Sequence, residues 1–187
     1  MANRDSAFGL KPSRHGNGGV IRFSEYFIAS ALASNIYRGD GVIPVNTAKR
    51  INVAAATNRL IGVFDGVHYV DSNGDVQFRP RWATGTVLKT GTTAKALVID
   101  DPNVLFEIQG DEDIVQDDIG ALADLIVGAG NNTTGQSAME LDSSTITSGD
   151  TLRIEEFVER ADNEVGNFAK VLVRISKHYL TGATTAI

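Results

Sequence analysis

The 187-residue chain has no cysteine, which excludes disulfides, thiol nucleophiles and cysteine-ligated zinc or iron–sulfur centres. Any robustness must therefore come from packing or assembly. No window of about 18 apolar residues occurs, so no transmembrane helix and no membrane partner are expected. The opening Met1–Asp5 lacks a basic start leading into an apolar run, so no secretion signal is expected and synthesis in the cytoplasm is. Positive charge is in deficit, with 17 Lys and Arg against 23 Asp and Glu and a net charge of −6, which argues against nucleic acid as a partner. What remains is ordinary for a folded soluble domain: 42% hydrophobic and 21% charged residues.

Residues 1–20 are rich in Gly, Asn, Arg and Ser, with Phe8, Leu10 and Val20 as the large apolar residues and no visible period. This reads as an extended arm that orders on a partner surface, or as a frayed terminus. The stretch Arg22 to Ile36 fits a short helix or a strand ending near Ala33. From Gly39 onward, short β-type runs alternate with turn residues. Gly41–Val45 is one such run, although Pro44 argues against a central strand. Ile51–Ala54, Leu60–Val70 and Val76–Trp82 follow, the last two separated by Asp71-Ser72-Asn73-Gly74-Asp75. Asn-Gly between two strand-like runs predicts a hairpin closed by a type I′ turn, which needs positive φ at both central residues. Lys95–Ile99 and Val104–Ile108 flank the turn sequence Asp100-Asp101-Pro102-Asn103. Ile119–Ile126 has helical spacing and predicts a short helical turn. Ala138–Leu141, Thr151–Val158 and Phe168–Tyr179 complete the strands, with Val171, Val173 and Ile175 on one face of the last.

About eight to ten short strands with frequent turns predict a mainly β fold, an antiparallel β-barrel or sandwich with few short helices and an extended N-terminal arm. The expected organisation is an arm with a short helix or strand over 1–36, a β-rich body over 37–180 and a polar tail over 181–187.

Residues that carry chemistry are scattered. His15, His68 and His178 are far apart, and none has a His or Glu at ligand spacing. Asp71, Asn73 and Asp75 have the odd-position spacing of a calcium loop, but Gly74 stands at position four and Trp82 at position twelve, so a turn is the better reading. Asp111, Glu112, Asp113, Asp117 and Asp118 form the densest acidic cluster, read as solvated or as a partner contact. Gly9, Gly16, Gly18 and Gly19 are followed by no Gly-Lys-Ser/Thr, and no Gly-x-Ser-x-Gly element occurs. Phe78 and Trp82 would share one strand face in a packed core. No catalytic residue, cofactor or metal is expected, and the chain does not read as an enzyme.

The opening Met1-Ala2-Asn3-Arg4-Asp5-Ser6-Ala7-Phe8-Gly9-Leu10-Lys11-Pro12-Ser13-Arg14-His15 resembles the start of small structural proteins of tailed phages, those of marine and cyanobacterial podovirus-like phages. Two further blocks are similar, Asp101–Gln109 and Asp162–Lys170 followed by Val171 to His178. The resemblance implies a capsid decoration or cement protein, a homotrimer on the capsid exterior of the virion that binds the major capsid protein. In that reading the arm touches the shell, with Phe8 and Leu10 as apolar anchors and Arg4, Lys11, Arg14 and His15 meeting acidic surface. Alternatives are a head–tail connector or tail structural protein, and a carbohydrate-binding surface domain using Trp82 and Tyr69.

Overall fold

Runs of β-branched and aromatic residues, too short for helices and broken by turn residues, bury their apolar faces by pairing as strands. The computed structural model describes residues 3–45 and 48–181. The fold is mainly β, 45% strand and 3% helix, the helical part being 3-10 turns at Gln116–Asp118 and Ser143–Thr145. The strands are β1 (Lys11–His15), β2 (Ser24–Ile28), β3 (Ile36–Tyr37), β4 (Gly41–Val45), β5 (Arg50–Val53), β6 (Gly62–Val70), β7 (Val76–Arg79) and β8 (Arg81–Trp82). The second half of the chain adds β9 (Ala94–Ile99), β10 (Val104–Gln109), β11 (Asp113–Ile114), β12 (Leu122–Ile126), β13 (Glu140–Asp142), β14 (Leu152–Phe157), β15 (Gly166–Asn167) and β16 (Lys170–Ile175). The segment Arg22 to Ile36, open between helix and strand in the sequence, begins as strand β2.

β4, β5, β2, β9 and β6 pair in that order and β6 returns to β4, closing a five-stranded barrel. A closed ring with an odd number of strands cannot be antiparallel at every joint. The odd joint lies between β2 and β5, which run parallel with one facing pair, Phe27 and Arg50. The other joints are antiparallel. Pro44 sits past the point where β4 leaves β6, so its missing N–H falls outside that ladder. Gly62 is obligatory where β9 closes on β6, because a Cβ there would lie 2.2 Å from the Ile99 carbonyl oxygen. Tyr26, Ile28, Val42, Phe64, Val67 and Val98 fill the interior, and Trp82 joins them.

The second sheet runs β1-β10-β16-β14-β12-β13. Its inner face, including Phe106, Ile108, Val171, Val173, Ile175 and Ile154, packs on the outer wall of the barrel through Leu60, Val63 and Ile99. Val171, Val173 and Ile175 share this core, as their alternation predicts.

The hairpin at Asp71–Asp75 forms, but not through a type I′ turn: of Asn73 and Gly74 only the glycine has positive φ, and three residues lie between the paired Asp71 and Asp75. The Asp71 carboxylate accepts the N–H groups of Asn73 and Asp75 at 2.9 and 3.0 Å, and Gly74 takes φ 96°. Those amides, the Asp75 N–H foremost, hold the Asp71 carboxyl below its usual range. Two local readings are corrected. Ile119–Ile126 is no helical turn: Gly120 has φ 91°, and β12 lies between β13 and β14 with Ala123, Asp124 and Leu125 all buried. Burial of both faces produced spacing that resembles a helix. The run Val76–Trp82 is broken at Pro80, so Phe78 is 65% exposed while Trp82 is fully buried, and the two do not share a core face.

The N-terminal segment lies on the body. Leu10 is fully buried in the core between the sheets, and β1 pairs with β10 along the sheet edge. Of the tail expected over 181–187, residues 182–187 lie outside the described residues, as do Met1 and Ala2.

Candidate functional site

The residues singled out near the N-terminus occupy one rim of the molecule. The Gln109 side chain ties the segment down by accepting the Ser6 N–H at 2.8 Å and donating to the Arg4 carbonyl at 2.7 Å. Gly9, with φ 74°, allows the close approach that follows, since a Cβ there would lie 2.5 Å from the Ser137 Cβ. Leu10 drops into the core, and Lys11 to His15 run as an edge strand with a register shift between Pro12 and Arg14. An apolar anchor for a partner is therefore not available at Leu10, which is used internally.

The basic residues expected to face a partner also meet acidic groups of this chain. Lys11 Nζ lies 3.8 Å from Glu107, Arg14 pairs with Glu156, and His15 Nε2 lies 3.1 Å from Asp101 Oδ2. The Lys11 and Arg14 side chains nevertheless stay more than half exposed. Arg4 is exposed, and Phe8 is half-buried. Phe8 lines a groove of about 380 Å³ between the N-terminal segment and the barrel. Its floor is apolar, with Leu10, Val63 and Ile99, and its rim carries Lys11, Arg38 and Asp65, the last two paired at 2.8 Å.

A second polar cluster gathers at the Asp100-Asp101 turn. Asp100 accepts Ser24 Oγ–H at 2.8 Å and Tyr26 O–H at 2.9 Å. Asp101 accepts the Asn103 N–H, its largest stabilising contact, and faces His15; its carboxyl is held below the usual range. The His15 Nδ1 accepts the N–H groups of Asn17 and Gly19. His178 is 1% exposed, and its Nδ1 accepts the Leu180 N–H at 3.1 Å. Burial lowers its pKa, against the attraction of Asp100 and Asp101. The sequence read this stretch only as a turn. Through His15, Ser24 and Tyr26 it fastens β1 and β2 to the turn.

The other candidates do not converge. His68 is on the outer wall of the barrel, 3.8 Å from Glu25. In the acidic cluster, Asp111 accepts both the N–H and the O–H of Ser143, and Asp118 accepts the Val115 N–H, so these two carboxylates hold loops. Glu112, Asp113 and Asp117 are exposed. Among the described residues, no three His, Asp or Glu side chains cluster as metal ligands would. Tyr69 and Trp82 meet edge to face at 5.5 Å, with Trp82 fully buried, so Trp82 offers no face to a sugar. In comparisons with family profiles, curated proteins and solved structures, nothing matches this chain.

Proposed function

We propose that the protein is a capsid decoration or cement protein of a tailed phage, which binds the outside of the head and stabilises the shell against internal DNA pressure by adhesion. The observation that carries this reading is the position of the segment whose sequence resembles such proteins. It runs along the outer rim of a β body, with Arg4, Lys11 and Arg14 exposed and Phe8 at a shallow groove. The shell contact is then an edge and a groove presented on a preformed surface, which costs less ordering entropy than a loose tether. The partner is the major capsid protein, and the working form is a homotrimer on the capsid exterior.

Stabilisation follows from mass action. A protein that binds only the expanded shell lowers its free energy by RT ln(1 + [L]/Kd) at each site, and many sites add. The test uses heads stripped of the protein, to which purified protein is added back while bound copies per particle and the temperature of DNA release are measured. Saturable binding that raises the release temperature, with occupancy reduced by the paired substitutions R4E and K11E, is the expected result. Absence from mature virions, or no saturable binding to expanded heads, overturns the reading. A copy number set by a single ring rather than by the shell lattice points instead to a connector or tail protein.

A further inference from the structure

The two six-stranded sheets end in three edges, β1, β13 and β7. Edge strands invite further pairing and are usually blunted by charge, proline or bulges. β1 carries Lys11, Pro12, Arg14 and a register shift, and β13 is three residues long with Glu140 and Asp142. β7 is four residues long, with Val76, Gln77 and Phe78 uncharged and Arg79 at its end, just before Pro80. It pairs with β6 alone, and it exposes Val76 (80%) and Phe78 (65%) on one face.

The main chain of β7 has a definite polarity. The Asp71 N–H donates to the Asp75 carbonyl at 3.0 Å, which fixes the phase of the antiparallel ladder. Alternation then turns the peptide groups of Gln77 and Arg79 toward β6 and those of Val76 and Phe78 toward the open edge. The side chains alternate in the same way: Asp75, Gln77 and Arg79 lie on one face, Val76 and Phe78 on the other.

We propose that β7 is the docking edge for a second copy of this chain, paired antiparallel about a two-fold axis through Gln77. In that register Val76 faces Phe78 of the second copy on each side of the axis. These residues carry the outward peptide groups, so each such pair exchanges both main-chain hydrogen bonds. Asp75 faces Arg79 of the second copy at the non-hydrogen-bonded positions, where Cα atoms approach to about 4.5 Å and side chains interact most strongly. Both charged residues are exposed, and the Arg79 guanidinium, which donates through Nη2 to Gln77 Oε1 at 2.9 Å, has further N–H groups to offer Asp75.

Neighbouring registers do worse. Sliding by two residues one way sets Asp75 against Gln77 and Phe78 against Gly74. Sliding the other way sets Val76 against Pro80, which has no N–H to donate. Hydrogen-bond phase, apolar pairing and charge order thus select the same alignment, and the strand is complementary to itself. A strand from another protein would satisfy the main chain but has no reason to match this order of charges. The contact is isologous, so one β7 edge engages one other and no more, and a trimer contact uses a different part of the surface. The inference is independent of the head-protein reading.

The test is sedimentation velocity of the whole protein over a roughly hundred-fold concentration range at low salt, where mass action separates single from paired species. The wild type is expected to rise with concentration from the species present at high dilution toward twice that mass. D75R or R79D alone sets like charges opposite each other twice and weakens association roughly tenfold or more. The double variant D75R/R79D restores the charge order and brings association back to within about threefold of wild type. Hydrogen exchange of the wild type adds a readout that needs no variant, with amide protection at Val76 and Phe78 rising with concentration. A mass unchanged at every concentration, association indifferent to the single reversals, or a double variant no better than the singles overturns the proposal.

Discussion

Arg160 closes on the carboxylate of Glu107 with two hydrogen bonds, Nη2 to Oε1 at 2.7 Å and Nη1 to Oε2 at 3.2 Å. The Glu107 side chain is 8% exposed and lies on β10, the strand that carries β1 along its other edge. Lys11 reaches the same carboxylate only at 3.8 Å. Arg160 in turn holds Asp162, which pairs with Lys170. This relay clamps the loop before β16 onto the sheet. Removing Arg160 leaves a buried carboxylate with one distant cation, so Arg160→Ala is expected to destabilise the protein by about 2–3 kcal/mol in urea unfolding. Glu107→Gln, which leaves no buried charge, is expected to cost less.

Leu10 tests whether the N-terminal segment belongs to the fold. It is fully buried in the cluster that joins the sheet to the barrel, beside Val63, Ile99 and Phe106. Leu10→Ala is expected to cost about 2–5 kcal/mol of stability, the range for a buried leucine that leaves a cavity. Arg4→Glu, a change at an exposed side chain, is expected to leave the thermal midpoint unchanged. A leucine variant as stable as wild type would show that the segment detaches in solution.

Two buried groups make stability depend on pH with opposite sign. Burial pushes the Asp40 carboxyl up to about 6 from 3.8, against hydrogen bonds from Ser137 and the Tyr37 N–H. Between those values the native state keeps a proton that the unfolded chain releases, so Asp40 lowers stability as pH rises through that window, by up to about 3 kcal/mol. Burial lowers the His178 pKa below 6.5. The unfolded chain therefore takes up a proton as pH falls below 6.5 while the native state resists, and His178 lowers stability toward acid. Urea unfolding across this range is expected to show a shallower loss with rising pH for D40N and a shallower loss with falling pH for H178Q.

The parts legible in the sequence were those whose signal is local. Asn73-Gly74 between β-type runs predicted the hairpin, and the alternation of Val171, Val173 and Ile175 predicted an inner face. What escaped depends on distant partners. Leu10 is one apolar residue in a stretch without period, and only the pairing of β1 with β10, far along the chain, gives it a core. His15 and Tyr26 meet Asp101 and Asp100 across 86 and 74 positions. Asp124 is a charged residue buried in the middle of β12. Its charge is accommodated by Thr151 and the Asp150 N–H, contacts no local pattern announces. The single run Val76–Trp82 conceals a break, because Pro80 separates β7 from β8 and lets Trp82 turn inward.

The odd strand number of the barrel has a mechanical consequence. Like a cask with one stave laid the wrong way, the ring carries a seam between β2 and β5, where one facing pair stands in for the multi-residue ladders elsewhere. Any load or thermal fluctuation that prises the wall apart meets least resistance there. The wall is therefore expected to open to solvent and proteases first along Phe27 and Arg50, and last along β6–β9, where five facing pairs hold it.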